Sequence, residues 1–390
     1  MTNTAVIMFS TADWDSKYWT NKQHIAMRLA ARGYPVLYIE TVGLRSPSFN
    51  ATDAHRLLRR LRRGLQPLTQ LDKNLWRLSP LTFPFAQENG MVARFNSGRL
   101  RSSIARWIGR TGAARPLIWT YHPYMLDIAA RLAPSRLIYH CVDRVSAIPG
   151  INARSFEIAE RRLISQADIV FTTSHELQKH SSEIAATKAH YFGNVADVAH
   201  FAKARSIDAL PPDIARIPRP RLGYVGALSD FKVDFALLDK LATARPDWHL
   251  VLIGDERPGQ SDAQLAQLCA RPNVHRLGWR SYEEVPSYLS GFDVALLPQL
   301  INDYTRAMFP MKFFEYLAAG LPVVASPLDS LRDFSAIHRI ASTPERFIEA
   351  IAASLAATSE PLPVDGAILG QSTWDCQLDR MLAVINSDPS

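Results

Sequence analysis

The chain has 390 residues, 44 of them basic and 37 acidic, which gives a formal charge of +7, and it is 47% hydrophobic. Those proportions exclude a disordered or fibrous polymer, and at roughly 100–200 residues per domain the length suits two folded domains, each able to bury a core. Cys141, Cys269 and Cys376 form no paired or metal-ligand spacing, so they read as reduced core residues of a cytosolic protein.

The opening Met1-Thr2-Asn3-Thr4 passes into a short apolar strand without the basic leader of a secretory signal. That strand is predicted at Ala5–Phe9. A helix through Lys22–Arg32 follows, its buried stripe formed by Ile25, Ala26, Leu29 and Ala30, with Gly33 closing it before a strand at Pro35–Ile39.

Next comes the segment that concentrates the charge. Arg56, Arg59, Arg60, Arg62 and Arg63 fall together, and without them the net charge would drop from +7 to +2. On a helix Arg56, Arg59, Arg60 and Arg63 share one face, opposite Leu57, Leu58, Leu61 and Leu65. Such a helix can lie on an anionic membrane surface, with leucines at the acyl boundary and arginines on the headgroups. The alternative is a surface helix whose leucines pack on its own domain. Nucleic-acid binding is disfavoured, because no aromatics interleave the arginines and no nucleic-acid motif accompanies them.

Further strands are predicted at Leu75–Leu78, Pro116–Thr120, Arg136–Cys141, Ile169–Thr173 and His190–Phe192, mostly with helical patterns between them. Alternating strands and helices imply a parallel sheet covered on both faces. Asp208–Pro220 holds Pro211, Pro212, Pro218 and Pro220 and reads as an extended linker. Beyond it, strands are expected at Arg221–Val225, His249–Ile253, Val274–Leu277, Val294–Leu297 and Pro322–Ala325. Helices are expected near Asp234–Ala244, Asp262–Ala270, Glu283–Ser290 and Met311–Ala319. Three of these strands run into glycine, at Gly226, Gly254 and Gly278, where the backbone can turn tightly and a ligand can approach the carboxyl edge of the sheet.

The organisation expected is therefore α/β, with two Rossmann-like domains facing across a cleft. Residues 1–207 form the first, 208–220 the linker and 221–365 the second, followed by a terminal helix in 366–390. No stretch is long and apolar enough to span a membrane, since Tyr316–Leu328 falls short of about 20 residues and contains Gly320, Pro322 and Pro327.

The stretch from Arg306 to Val324 carries the most chemistry. Pro310 can open a helix, Glu315 sits one turn in and Gly320 ends it. A carboxylate there can accept hydrogen bonds from two vicinal ribose hydroxyls, while free amides at the helix start, with Lys312, favour a diphosphate. An ordinary amphipathic helix with a solvated Lys and Glu is the plainer alternative.

Pro-x-Lys-x-x-Glu-Tyr-x-Ala-x-Gly-x-Pro-Val-Val at Pro310–Val324 resembles the donor-binding helix of GT-B glycosyltransferases, in particular the bacterial family 4-like members that build capsule, teichuronic-acid and exopolysaccharide chains. Tyr224-Val-Gly-Ala-Leu-Ser-Asp-Phe-Lys232, Leu252-Ile-Gly-Asp255, Leu277-Gly-Trp279, Gly193-Asn-Val-Ala-Asp197 with Phe201, the Ala167–Ser174 strand and Trp14-Asp15 agree in order. The resemblance covers nearly the whole chain. Two departures stand out: Ala307 occupies the position eight residues before Glu315 where retaining members often carry a second glutamate, and Ser10–Asp15 replaces the usual Gly-Gly loop.

The resemblance implies transfer of a sugar from a nucleotide diphosphate donor to a saccharide or lipid-linked acceptor, with retention of configuration favoured. The second domain would hold the donor through Gly226, Lys232, Trp279, Arg306, Lys312 and Glu315, while Tyr282 lies near the same turn as Trp279. Asp15, His122 and Asp143, each following a predicted strand of the first domain, are the candidates for acceptor binding and proton transfer. The terminal helix would cross back to the first domain. Asp13-Trp14-Asp15 matches a metal-binding Asp-x-Asp by composition, but its place far from the nucleotide half favours metal-independent chemistry with no cofactor. A cytoplasmic enzyme, peripheral on the inner face of the membrane, fits this reading. Other readings are a nucleotide-sugar epimerase of the same architecture and a non-catalytic binding protein. A dinucleotide oxidoreductase is disfavoured, because no glycine-ended strand develops into GxGxxG.

Overall fold

The computed structural model describes residues 4–40, 68–80, 90–113, 115–256, 262–357 and 366–387. The basic segment holding Arg56, Arg59, Arg60 and Arg63 lies outside them. The chain forms two compact units, one of Met1–Phe192 with Val384–Ser390, the other of Gly193–Ala383.

The first unit is built on eight strands: β1 (Val6–Phe9), β2 (Val36–Ile39), β3 (Leu68–Asp72), β4 (Leu75–Leu78), β5 (Leu117–Thr120), β6 (Arg136–Cys141), β7 (Ile169–Thr172) and β8 (Ala189–Tyr191). Their order is β3-β4-β2-β1-β5-β6-β7-β8. All neighbours are parallel except the β3–β4 hairpin. Every residue of β1, β2, β5 and β7 is buried, as expected of parallel strands covered on both faces. β3 escaped the sequence reading because it is a half-exposed edge strand with little apolar alternation.

The second unit has six parallel strands: β9 (Arg221–Val225), β10 (His249–Ile253), β11 (Val274–Gly278), β12 (Val294–Leu297), β13 (Val323–Ala325) and β14 (Arg339–Ile340). Their order is β11-β10-β9-β12-β13-β14. Asp234 and Asp262 cap the Phe235–Ala244 and Ala263–Cys269 helices by accepting from Leu237 and Leu265 amides. Successive strands are added to one side of β9 up to β11 and to the other side from β12 onward, and in open α/β sheets ligands bind outside the carboxyl ends of the strands at such a junction.

The domain limits differ from expectation. The boundary falls at Phe192/Gly193 rather than after residue 207. The proline-rich stretch is not an extended linker but part of the second unit: Pro212–Ala215 is a helical turn, and Ile214 is fully buried in a core with Leu289 and Phe292. The last helix, Trp374–Ser387, belongs to the second unit as far as Ala383. The Gln377 amide donates to the Gly193 carbonyl at 2.8 Å, and Ala196 bridges Thr373. Among the described residues no helix is long and apolar enough to cross a membrane.

Candidate functional site

The second unit gathers its candidates at the carboxyl edge of its sheet. β9 runs into Gly226, whose amide donates to the Ile253 carbonyl at 2.9 Å. The following loop is tied to the segment after β12: the Leu300 amide donates to the Lys232 carbonyl at 2.9 Å, and Asn302 Nδ2 to the Phe231 carbonyl at 2.7 Å. Lys232 is half-buried and donates through Nζ to Tyr304 Oη at 3.0 Å. Tyr304 stands in the Asp303–Arg306 helical turn, which ends on exposed Arg306.

After that turn the chain enters the Lys312–Ala318 helix. Glu315, only 4% exposed, receives a hydrogen bond from Lys312 Nζ to Oε2 at 2.7 Å. A buried carboxylate held this way keeps lone pairs for further donors, which is what recognition of two adjacent hydroxyls requires. Free amides at the helix start, expected as a phosphate cradle, are fewer than anticipated. The helix spans seven residues, and the Phe313 and Glu315 amides already donate to Pro310 and Met311 carbonyls. Attraction for an anion here rests on the Lys312 side chain instead.

Two contacts fix this helix. Tyr316 Oη accepts from the Val225 amide at 2.8 Å, setting the residue after Glu315 beside the residue before Gly226. Arg205 donates through Nε and Nη2 to the Ala318 and Leu317 carbonyls at 2.8 and 3.0 Å, satisfying acceptors the helix end leaves open. Gly320, at φ +83°, then turns the chain.

Trp279 follows β11 on the same edge, and Arg280 holds its carbonyl through Nη1 at 2.9 Å. The Arg280 guanidinium also reaches Tyr288 Oη and Asp213 Oδ2, both at 2.5 Å. Burial alone would raise the Asp213 carboxyl, but hydrogen bonds from Arg280 and Tyr288 outweigh it and hold the group below its ordinary value. Tyr282 is a packing residue: its ring stacks on His200 at 4.2 Å.

In the first unit the three nominated residues separate. Asp15, half-exposed, accepts at Oδ2 from Arg77 Nη1 of β4 at 2.9 Å, which draws it toward the β2–β4 side of β1. His122 and Asp143 follow the adjacent strands β5 and β6 on the other side. His122 is fully buried, and its amide donates to Thr120 Oγ1 at 3.0 Å. Among the described residues no three His, Cys, Asp or Glu side chains converge as a metal site.

Tyr304, Arg205 and Arg280 were not singled out from the sequence. Arg280 adjoins the glycine-ended Leu277–Trp279 motif and was within reach of that signal. The other two act over separations of 72 and more than a hundred residues, which no local pattern encodes.

Residues 219–357 match the family described as Glycosyl transferases group 1. TuaH of Bacillus subtilis (strain 168), a protein named for teichuronic acid biosynthesis and as a glycosyltransferase, is 27% identical over 230 residues, which cover 55% of this chain and 56% of TuaH. The chain thus matches about half the length of that curated relative. Among solved structures, sucrose-phosphate synthase from Thermosynechococcus elongatus superposes with a TM-score of 0.70 at 15% identity, over 98% of both chains. Anabaena HepE in complex with UDP-glucose gives 0.67 at 17% identity, over 98% of this chain and 100% of HepE. WaaG, a glycosyltransferase involved in lipopolysaccharide biosynthesis, gives 0.61 at 14% identity, over 98% and 100%. At such identities the likeness concerns the fold, which is GT-B, with two Rossmann-like α/β units. The Lys232 loop, the Trp279 turn and the Glu315 helix all lie within the stretch that matches Glycosyl transferases group 1.

Proposed function

We propose that this chain is a glycosyltransferase that moves a sugar from a nucleotide diphosphate sugar to a lipid-linked saccharide in bacterial surface polysaccharide synthesis. The observation that carries this reading is Glu315, buried one turn into a helix at the carboxyl edge of a parallel sheet, inside the stretch that matches Glycosyl transferases group 1. In this reading Glu315 accepts the two ribose hydroxyls. Lys232 and Lys312, with Arg306 beside them, offset the charge that grows on the departing diphosphate, and Gly226 and Trp279 frame the nucleotide. These cations perform the task a divalent metal performs elsewhere, so transfer is expected to be metal-independent. The first unit supplies the acceptor side. His122 and Asp143, on neighbouring strand ends, are better placed to act together than Asp15, whose carboxylate is engaged by Arg77.

Retention of configuration is the expected outcome, following the likeness of the Pro310–Val324 pattern. Residue 307 is an alanine, so no carboxylate at that position serves the sugar, and the burden of stabilising the transition state shifts to the cations that face the departing diphosphate.

An anionic membrane surface, on the cytoplasmic side, is the expected partner. The Gly90–Thr111 helix carries five arginines and no acidic residue. Leu100, Ile104 and Trp107 are buried, while Arg99, Arg101, Arg106 and Arg110 are exposed. Residues 1–192 hold 26 basic and 13 acidic side chains, whereas residues 193–390 hold 18 and 24. The overall charge of +7 thus masks a basic first unit and an acidic second one, an asymmetry suited to orienting the first unit toward anionic headgroups.

The test is incubation with a panel of nucleotide sugars, with and without lipid-linked saccharide acceptors. Acceptor-dependent transfer supports the proposal. Donor conversion without an acceptor points to an epimerase, and thermal stabilisation by a donor without turnover points to a binding protein.

A further inference from the structure

Lys232 is not a freely rotating loop lysine. Its ammonium sits 3.0 Å from Tyr304 Oη and 4.5 Å from the centroid of the same ring, with Phe231 at 5.5 Å. Tyr304 is itself fixed: it is 4% exposed, packs edge-on against Phe231 at 5.3 Å, and lies in a turn capped by Asn302, whose side chain accepts from both the Tyr304 and Thr305 amides. Asn302 also reaches the Phe231 carbonyl, and an antiparallel bridge joins Val233 to Gln299. The segment after β12 therefore grips the Lys232 loop through both backbone and side chain.

A lysine stem has four rotatable bonds, and confining it before a ligand arrives removes an entropic cost that binding would otherwise carry. The phenol oxygen accepts from the ammonium and the ring face attracts its charge, so one side chain fixes both the place and the orientation of the Lys232 head group. We propose that Tyr304 is the positioning residue for Lys232, holding its ammonium ready for the diphosphate of the donor. This rests on the reading of Lys232 as a diphosphate ligand and adds a second residue through which that ligand is oriented.

The experiment measures binding of UDP, ADP and GDP, and of uridine, adenosine and guanosine, to the full chain and to Tyr304→Phe, Lys232→Ala and the double variant. Tyr304→Phe keeps the ring and removes one oxygen. It is expected to weaken the preferred nucleoside diphosphate about 10-fold, the scale of one lost hydrogen bond to a charged group. Affinity for the matching nucleoside should not change, and in the Lys232→Ala background Tyr304→Phe should have no further effect. An unchanged diphosphate affinity, an equal loss for the nucleoside, or the same fold-loss with Lys232 already removed each overturns the inference while leaving the donor reading intact. Failure of the unmodified chain to bind any of the three diphosphates overturns the donor reading, and the role of Tyr304 with it.

Discussion

The phenol of Tyr316 takes the place of a strand partner for Val225. β12 pairs with β9 only at Leu222 and Gly223, so beyond that point the two strands part. The Val225 amide, in the fully buried end of β9, donates to Tyr316 Oη at 2.8 Å. One side chain thus closes a gap in the sheet and anchors the helix bearing Glu315. Burial pushes the phenol well above its ordinary pKa, so it stays protonated at all working pH values.

Tyr316→Phe leaves that buried amide without an acceptor, a loss of about 1–3 kcal/mol. Amide hydrogen exchange at Val225 and Gly226 should accelerate, and nucleoside diphosphate affinity should fall because Glu315 is no longer held against the end of β9. Unaltered exchange at both amides, measured by mass spectrometry or NMR, would show that the contact does not hold the edge together.

Glu315 and Lys312 form an ion pair one turn apart, with Lys312 the more exposed partner. A donor that needs both groups must share them, the carboxylate with ribose and the ammonium with phosphate. Glu315→Ala removes two charge-assisted hydrogen bonds to ribose and is expected to weaken donor binding about 100-fold, taking about 1.5 kcal/mol for each. Lys312→Ala should act differently, lowering affinity for the diphosphate while sparing the nucleoside. A donor affinity unchanged by Glu315→Ala, in calorimetric titration, would remove the central argument for the site.

Much of this arrangement was legible in the sequence, for identifiable reasons. The buried strands appear as apolar runs because parallel strands covered on both faces tolerate little else, and β4, β6, β9, β10 and β12 lie within the bounds read from the pattern. Glu315 and Lys312 were legible because helix signals and polar chemistry coincide within fifteen residues. What was not legible depends on folding back. Gly223 reads as an ordinary strand residue, yet a Cβ there would lie 2.0 Å from the Phe292 ring, so its smallness answers a side chain 69 positions away. Asp15 follows a strand as expected, but its engagement by Arg77 depends on the neighbouring β2 and β4. Proline density suggested a linker at 208–220, whereas Ile214 and Asp213 bind that stretch into the second unit.

The membrane reading predicts a salt-dependent effect. Changing Arg99, Arg106 and Arg110 to Glu reverses three charges on one exposed stripe of the Gly90–Thr111 helix without touching buried Leu100, Ile104 or Trp107. At about 1 kcal/mol for each basic residue near an anionic surface, binding to phosphatidylglycerol-containing liposomes should fall at least 100-fold and weaken with added salt. Arg59, Arg60 and Arg63 changed to Glu test the basic run of the sequence in the same sedimentation assay. Liposome binding insensitive to salt and to both sets of changes would leave these arginines as solvated surface.

His140 gives the first unit a built-in acid sensitivity. It lies in β6 with 1% exposure, its Nδ1 3.3 Å from Trp119 Nε1 and its ring stacked on Tyr121 at 5.0 Å. Burial, reinforced by the charge of Lys22, lowers its pKa from 6.5 to about 3. Below pH 6.5 the unfolded chain therefore takes up a proton that the folded one refuses. Stability falls as the pH drops toward 3, by at most about 1.4 kcal/mol per pH unit from this group. Glu160 acts with the opposite sign: burial raises its carboxyl, so the folded chain is protonated first and gains stability over part of that range. Comparing the unmodified chain with His140→Gln separates the two, because glutamine can still accept from Trp119 and does not titrate. In denaturant unfolding followed from pH 7 to pH 4, the difference in stability between the two proteins should shift toward the variant with each step of acidification. A difference that stays constant with pH would show that His140 is not the group through which acid acts.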